Sequence, residues 1–153
     1  ELKKIQNYML NKSTINTEEI LKLTNLADNF SASELVDNSL AKNKKKTINI
    51  LNENNFSDED CIIILRVCLS KLKRLLKLQE ELKSSKNSDA VISSFKPPIF
   101  WKDKEIIKKQ ISNQNHETVK NLISKTNETE LLIKKYPQSS INIMTNFILE
   151  MVI

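Results

Sequence analysis

The stretch SDEDCIIILRVCLSKLKRLLKLQEELKS, residues 57–84, determines the fold class of this chain. Ser57 stands directly before three acidic residues, an arrangement in which the hydroxyl caps a helix and the acids face the positive end of its dipole. Leucines then recur at helical 4-3-4 spacing, at Leu65, Leu69, Leu72 and Leu76. We predict a single helix over residues 58–84, roughly 40 Å long at about 1.5 Å per residue.

The apolar surface of this helix is wide. Cys61, Cys68, Leu75 and Leu82 lie beside the leucines. Further apolar residues surround its first half, which predicts that this half is buried on several sides: Ile62, Ile63, Ile64 and Val67. The second half keeps a charged face of Lys71, Lys73, Arg74, Lys77, Glu80 and Lys83. The pattern indicates a scaffold helix around which shorter helices pack.

Helical signals also occur on both sides of this segment. Residues 1–10 have helical apolar spacing, and Asn16 with Glu19 predicts a capping box. A helix is predicted to begin at a Ser31 cap, with Glu34 three residues on, and to continue through residues 41–55, with the lysines of 44–46 in a solvated turn. Four more helices are expected, over residues 89–95, 103–114 with an Asp103 cap, 116–136 with an Asn115 cap, and 139–153. No strand-like alternation stands out, so the predicted fold is all-α, a bundle of about eight helices.

Composition excludes several classes of protein. The chain has 153 residues, of which 39% are hydrophobic and 28% charged, as expected for a globular protein. It has no glycine, which excludes glycine-rich phosphate-binding loops. Neither a membrane-spanning run nor a signal peptide is visible. The chain begins at Glu1 inside a predicted helix, and we expect it to be part of a longer protein.

The two cysteines point to a reducing compartment. Cys61 and Cys68 are seven residues apart in one helix, which places them roughly 10 Å apart and excludes a disulfide between them. We expect buried, reduced thiols in a cytoplasmic protein. His116 is the only histidine, so a zinc site is not expected.

Charge is distributed unevenly along the chain. Residues 1–60 hold 8 basic and 10 acidic side chains, whereas residues 61–153 hold 16 basic and 9 acidic ones. The C-terminal part therefore either lies near phosphate or an acidic partner, or carries a solvated lysine face. Arg66 and Arg74 are the only arginines, so bidentate reading of guanine edges, and with it sequence-specific DNA recognition, is not expected.

The residues suggest no catalytic constellation. His116 has no nearby Cys or Ser partner in a recognisable motif and is interpreted as a surface histidine at a helix start. We predict neither enzymatic activity nor a cofactor or metal. Tyr136, next to Lys134 and Lys135 at a helix end, has two interpretations: a base-stacking ring with adjacent positive charge, or a tyrosine packed at a helix corner.

The segment FKPPIFW, residues 95–101, contains two prolines and three aromatic residues. Pro97 and Pro98 restrict the backbone to an extended path and end the preceding helix. We interpret the segment as a structural corner, where Phe95, Ile99 and Phe100 fill the gap between two helices, rather than as a proline-rich ligand. Trp101 either covers this corner or faces a neighbouring subunit.

The order of several stretches resembles the delta subunit family of the bacterial DNA polymerase III clamp loader, in its C-terminal part. Two stretches near the start carry the likeness: ELKKIQNYML followed by TEEILKLT, and ADNFSASELVDNSLAKNKKKTINIL. The long helix followed by FKPPIFWKDKEIIKKQI, and then NETELLIKKYPQSS, complete it. The resemblance covers nearly the whole chain.

This resemblance implies a domain organisation and a role. Residues 1–26 would be the last helices of the AAA+ lid domain, and residues 27–153 the collar domain. Such a collar holds the clamp loader together during DNA replication by packing against the gamma or tau and delta-prime subunits. The parent protein would belong to the DNA-directed DNA polymerase holoenzyme and open the sliding clamp through an N-terminal domain. It would have no ATPase activity, no small-molecule substrate and no membrane contact.

Site residues follow from the same resemblance. Tyr136 would face primed DNA, with Lys134 and Lys135 adding positive charge and the contact being weak. The expected subunit-interface or corner residues are Leu72, Leu76, Pro97, Pro98, Phe100 and Trp101. The alternative is a free-standing, basic, all-helical domain that binds nucleic acid by itself.

Overall fold

The computed structural model describes residues 2–9, 15–17, 19, 26–84 and 87–153. Within these ranges the chain is all-α, without a strand, which confirms the predicted fold class. The eight helices of this part are α1 Leu2–Met9, α2 Leu26–Leu40, α3 Lys44–Glu53, α4 Asp58–Ser84, α5 Ser88–Ser94, α6 Lys104–Asn113, α7 His116–Lys135 and α8 Ser140–Met151. Short 3-10 turns at Trp101–Asp103 and Pro137–Ser139 lead into α6 and α8.

Helix α4 is the central element, as its apolar pattern predicts. It packs most extensively against α7 and α2, and also against α5, α6 and α8. Its buried residues are Cys61, Ile64, Leu65, Cys68, Leu72, Leu75, Leu78 and Gln79. The main core forms around the first two thirds of α4, between α2, α7 and α8, and a smaller cluster forms around Leu78, between α5 and α6. Removing these large aliphatic groups from water supplies most of the driving force for folding.

The start of α4 is capped as the sequence predicts. Ser57 Oγ accepts a hydrogen bond from the Asp60 backbone N–H at 3.2 Å, and the Ser57 backbone N–H donates to Asp60 Oδ2 at 2.7 Å. This reciprocal pair satisfies two donors that would otherwise lack a partner in the first turn. The helix runs over Asp58–Ser84, the predicted span. The first half of α4 is buried on several sides, as expected, since Cys61, Ile64, Leu65 and Cys68 are buried and Ile62 and Val67 pack against the same core. Ile63 is 38% exposed and marks the side that is not covered.

Helix α2 begins earlier than the Ser31 cap predicts. The helix is continuous over Leu26–Leu40, so Ser31 lies in its interior and the predicted cap is wrong. Serine followed three residues later by glutamate is also tolerated inside helices, since neither residue is strongly unfavourable there. The predicted boundary between residues 26 and 27 falls in the first turn of α2 and remains a prediction.

The predicted continuous helix across residues 41–55 is also wrong. The chain turns at residues 41–43, where Lys42 has a φ of 54°, and α3 begins only at Lys44. Asn43 caps α3 by accepting a hydrogen bond from the Lys46 backbone N–H at 3.4 Å. The left-handed conformation costs a lysine about 1 kcal/mol relative to glycine, and in this glycine-free chain a lysine adopts it. Residues 44–46 are exposed in the first turn of α3, as expected.

Two other predicted caps are present, and one is absent. The Glu19 backbone N–H donates to Asn16 Oδ1 at 2.8 Å, and the Thr118 backbone N–H donates to Asn115 Oδ1 at 2.7 Å. Asp103 makes no capping hydrogen bond. It closes the 3-10 turn with φ −87° and ψ −13°, whereas a capping side chain reaches the next turn from an extended backbone.

Candidate functional site

The end of α7 presents an exposed tyrosine. Tyr136 is the C-cap residue, and its backbone N–H donates to the Leu132 carbonyl at 2.9 Å. Pro137 then opens the 3-10 turn, in which the Ser139 N–H donates to the Tyr136 carbonyl at 3.0 Å. Both backbone groups of Tyr136 are therefore fixed, while its side chain is 41% exposed. Tyr136 lies at the helix corner with part of its surface exposed, so the base-stacking and the packed-corner interpretations both remain predictions.

The two neighbouring lysines occupy different electrostatic environments. Lys135 Nζ lies 5.4 Å from the centroid of the Tyr136 ring, within the range of a cation–π contact. Lys134 Nζ instead lies 2.7 Å from Glu130 Oε1, one helical turn earlier. Both cations lie in the last turn of α7, where the helix dipole favours positive charge. The structure thus brings together Tyr136 and Lys135, whereas the charge of Lys134 is matched within the helix.

Exposed leucines adjoin this tyrosine, and the sequence analysis did not identify them as surface residues. Leu131 is 67% exposed and Leu132 is 44% exposed. The buried positions near them are Thr126, Thr129 and Ile133. Leu131 lies on the opposite side of the helix from these positions, and Leu132 lies at their edge. A helical wheel centred on Ile133 places both leucines outside the apolar face, and this was the signal available in the sequence.

The proline-aromatic corner is partly as predicted. Phe95 and Ile99 are buried in the smaller cluster with Leu78 and Ile107. Phe100, by contrast, is 56% exposed, so the expectation that it fills the gap is wrong. Phe95 and Ile99 already close the cluster beside α5 and α6, which leaves the next two rings outside.

Trp101 does not cover the corner, because 68% of its surface is exposed. Its ring centroid lies 5.8 Å from that of Phe100, with 48° between the ring planes, and Lys102 Nζ lies 5.4 Å from the Trp101 centroid. Phe100, Trp101 and Lys102 are called the aromatic ridge below. Pro97 and Pro98 are exposed beside it, with a bend at residues 96–97 and a cis peptide bond between Lys96 and Pro97 in place of the predicted extended path.

The candidate residues on α4 lie in the core. Leu72 is fully buried, and Leu76 is partly buried against the same main cluster. In this chain both side chains contribute to packing, and Leu76 retains some exposed surface.

A polar cleft of about 290 Å³ lies between α2, α3 and the turn before α6. Its walls carry both signs of charge, with Glu34 and Asp37 on α2 facing Lys46 and Lys102. Lys46 Nζ lies 2.6 Å from Glu34 Oε1, so the opposite charges are already matched within the cleft. The cleft has no signature in the sequence, because its walls come from three separate segments.

The two thiols are held in unreactive settings. Both cysteines are buried and free. Burial, reinforced by Asp58 and Asp60, raises the pKa of the Cys61 thiol to about 11, and burial raises that of Cys68 to about 12. These groups are thiols rather than nucleophilic thiolates near neutral pH. His116 is half-buried, and its Nδ1 is buried without a hydrogen-bond partner, so its interpretation as a surface histidine is wrong.

Across the described ranges, no group of three or more His, Cys, Asp or Glu side chains is arranged to hold a metal ion. In the same part of the chain, no helix is both long and apolar enough to cross a bilayer.

Comparisons of this chain with protein-family models, with curated proteins and with solved structures find no match. The resemblance to the clamp-loader delta family therefore rests on the quoted sequence stretches alone.

Proposed function

We propose that this chain is the collar region of a clamp-loader subunit similar to the delta subunit of bacterial DNA polymerase III. In this proposal it holds the loader together in the cytoplasm during DNA replication and contacts primed DNA weakly. The observation that carries the DNA contact is the exposed Tyr136 ring with Lys135 Nζ 5.4 Å from its centroid. Base–aromatic stacking contributes about 1–3 kcal/mol per base, and an adjacent cation attracts the phosphate.

The aromatic ridge supports the assembly part of the proposal. Two large rings, which contact each other and have Lys102 beside them, are still 56% and 68% exposed in the isolated chain. Phenylalanine and tryptophan are enriched at the centres of protein interfaces, where burying each ring removes a large apolar area from water. We assign this ridge to the contact with a neighbouring collar, of the gamma or tau subunit or of delta-prime. The sliding clamp would be engaged by an N-terminal domain of the parent protein, as the resemblance implies.

The DNA contact is tested in the complete subunit. Tyr136→Ala should weaken binding of the assembled loader to a fluorescent primer–template by roughly 10-fold, at the lower end of the stacking range. The loader should still elute as one complex in size-exclusion chromatography, because Tyr136 is not a member of either buried core cluster. Unchanged affinity for the primer–template would refute the DNA contact.

Assembly is tested at Trp101, the only tryptophan in the chain. Its fluorescence should be quenched readily by acrylamide in the isolated chain and protected once the gamma or tau collar is added. Trp101→Ala should lower the yield of the co-expressed complex, whereas Ile63→Ala, a truncation at another exposed apolar residue, should not. Equal quenching with and without the partner would contradict the assignment of the ridge.

The alternative, a free-standing nucleic-acid-binding domain, makes a different prediction. Such a domain binds DNA tightly without partners, with an affinity that falls steeply as salt rises. A collar co-purifies with the other loader subunits and binds DNA weakly alone. Titrating the isolated chain and then the assembled loader with the same DNA separates the two functions.

A further inference from the structure

One face of α4 is exposed along nearly the whole helix. Beyond the first turn, the exposed residues up to residue 80 recur at a 3-4-3-4-3 spacing, which keeps them on one side of the helix. They are Ile63, Arg66, Ser70, Lys73, Lys77 and Glu80. This outer stripe of α4 is bordered by the helices that cover the rest of α4, and no described segment packs over it.

The middle of the outer stripe is purely basic. On this face, only Ser70 stands between Arg66, Lys73 and Lys77. Acidic residues lie on either side of this basic part, at Glu59 before the stripe and at Glu80 at its end. Arg74, half-buried, lies beside the stripe, so both arginines of the chain are on this helix. Arginine is the side chain best suited to bidentate phosphate contacts.

These cations have no partners within the described part of the chain. Five lysines elsewhere in it form ion pairs with carboxylates, namely Lys46, Lys71, Lys108, Lys125 and Lys134. Among the described residues, no ion pair involves Arg66, Lys73, Arg74 or Lys77, although Glu80 is only three residues from Lys77. The positive charge of the stripe is therefore available to an external anion.

The stripe fits a nucleic-acid backbone better than a protein. A protein interface needs a desolvated apolar centre, whereas the basic part of this stripe, from Arg66 to Lys77, contains no exposed apolar side chain. Phosphate binding needs only spaced cations. The backbone positions of Arg66 and Lys77 are roughly 16 Å apart along the helix, so the cations are spread over an extended length rather than concentrated at one point.

We propose that the outer stripe of α4 binds the phosphate backbone of a single DNA strand. The choice of DNA rests on the proposed function, whereas the basic stripe itself is a surface separate from Tyr136. The stripe supplies attraction without sequence preference. Tyr136 supplies stacking, so the two contributions differ in their dependence on salt.

The test measures binding of a fluorescein-labelled oligothymidylate of about 20 nucleotides to the full chain by anisotropy, between about 50 and 200 mM salt. Replacing Arg66, Lys73 and Lys77 by glutamine should reduce the slope of log affinity against log salt by about 2, at about 0.7 per lost phosphate contact. The matched control replaces three exposed, unpaired lysines on other helices, Lys44, Lys45 and Lys120, and removes the same net charge. Its slope should stay close to that of the unmodified chain.

The outcomes separate this inference from the proposed function. Tyr136→Ala should lower affinity at every salt concentration without changing the slope. If the stripe variant keeps an unchanged slope while Tyr136→Ala binds more weakly, the proposal for the outer stripe is wrong and the DNA contact of Tyr136 stands. If the stripe variant has a reduced slope while Tyr136→Ala binds normally, only the proposal for the stripe stands. If the slope falls equally in the stripe variant and in its control, the proposal for the stripe is wrong, because the net charge of the chain alone then accounts for binding. Binding of polyglutamate but not of the oligonucleotide would also overturn it, in favour of an acidic protein partner.

Discussion

Lys71 Nζ lies 2.5 Å from Asp37 Oδ2, and this ion pair joins the central helix α4 to α2. Both side chains are largely buried, at 13% and 14% exposure. The other carboxylate oxygen of Asp37 accepts a hydrogen bond at 3.1 Å from Gln110 Nε2, on α6. A single carboxylate therefore connects three helices, beside the polar cleft.

Removing one partner of this ion pair should destabilise the fold strongly. Lys71→Met leaves the Asp37 carboxylate buried without its cation, and we expect a loss of about 3 kcal/mol in the free energy of unfolding, measured in urea. Lys73→Met, two residues on but exposed, should change it by less than about 0.5 kcal/mol. The double variant Lys71→Met/Asp37→Asn should recover part of the loss. Equal stabilities of the two single variants would show that the ion pair contributes nothing.

Leu72 and Leu76 should differ in their contribution to stability. Leu72→Ala removes a fully buried side chain and leaves a cavity, so we expect a loss of about 3 kcal/mol, whereas the partly buried Leu76 should cost about 1 kcal/mol on the same change. Thermal unfolding measures both, and Leu131→Ala, at an exposed position on α7, serves as the control with little change. A Leu76 variant as unstable as the Leu72 variant would contradict the observed difference in burial.

The helix spans and caps that could be predicted from the sequence are those specified by a few neighbouring residues. The span of α4 and the caps at Ser57 and Asn115 follow from hydroxyl or amide groups placed directly before helical apolar spacing. Ser31 carried the same kind of signal but lies inside α2, because serine followed by glutamate is also tolerated within a helix. Lys42 gave no signal, because the left-handed turn that it adopts is usually made by glycine.

The candidate site was only partly predictable, because exposure depends on which faces are covered by other elements. Tyr136 and its adjacent charge were visible as a motif, but the pairing of Lys134 with Glu130 required the side-chain geometry. Phe100 has the same apolar character as the buried Phe95, and only the three-dimensional path of the corner separates them. The outer stripe of α4 was contained in the helix pattern, yet only the packing of the neighbouring helices shows that its basic centre stays uncovered.

Stability should depend on pH through Cys68. This thiol is fully buried, with Sγ 3.9 Å from Met151 Sδ, and burial raises its pKa to about 12 from an ordinary value of 9.0. Because the folded state keeps the proton that the unfolded chain releases, the stabilisation is complete below pH 9 and is lost as pH rises towards the folded pKa. The contribution should fall by up to about 1.4 kcal/mol per pH unit in that window.

The measurement compares urea unfolding of the unmodified chain and of Cys68→Ala between about pH 8 and 10, a range chosen around the ordinary thiol pKa. The variant loses packing at every pH, but its stability should decline less steeply above pH 9. Lysine titration affects both proteins equally and cancels in the difference. Parallel pH profiles would mean that the Cys68 thiol titrates normally in the folded state.

Lys135 and Lys134 should contribute unequally to the proposed DNA contact, although they are adjacent in sequence. Lys135→Gln in the complete subunit should weaken primer–template binding and reduce the salt slope by roughly 1, because this cation lies beside the Tyr136 ring without a carboxylate partner. Lys134 must first leave Glu130 to reach a phosphate. The charge-neutral double variant Glu130→Gln/Lys134→Gln should therefore bind primer–template with nearly unchanged affinity. If that double variant loses as much affinity as Lys135→Gln, the ion pair with Glu130 does not prevent Lys134 from contacting DNA. Both lysines would then contact the phosphates.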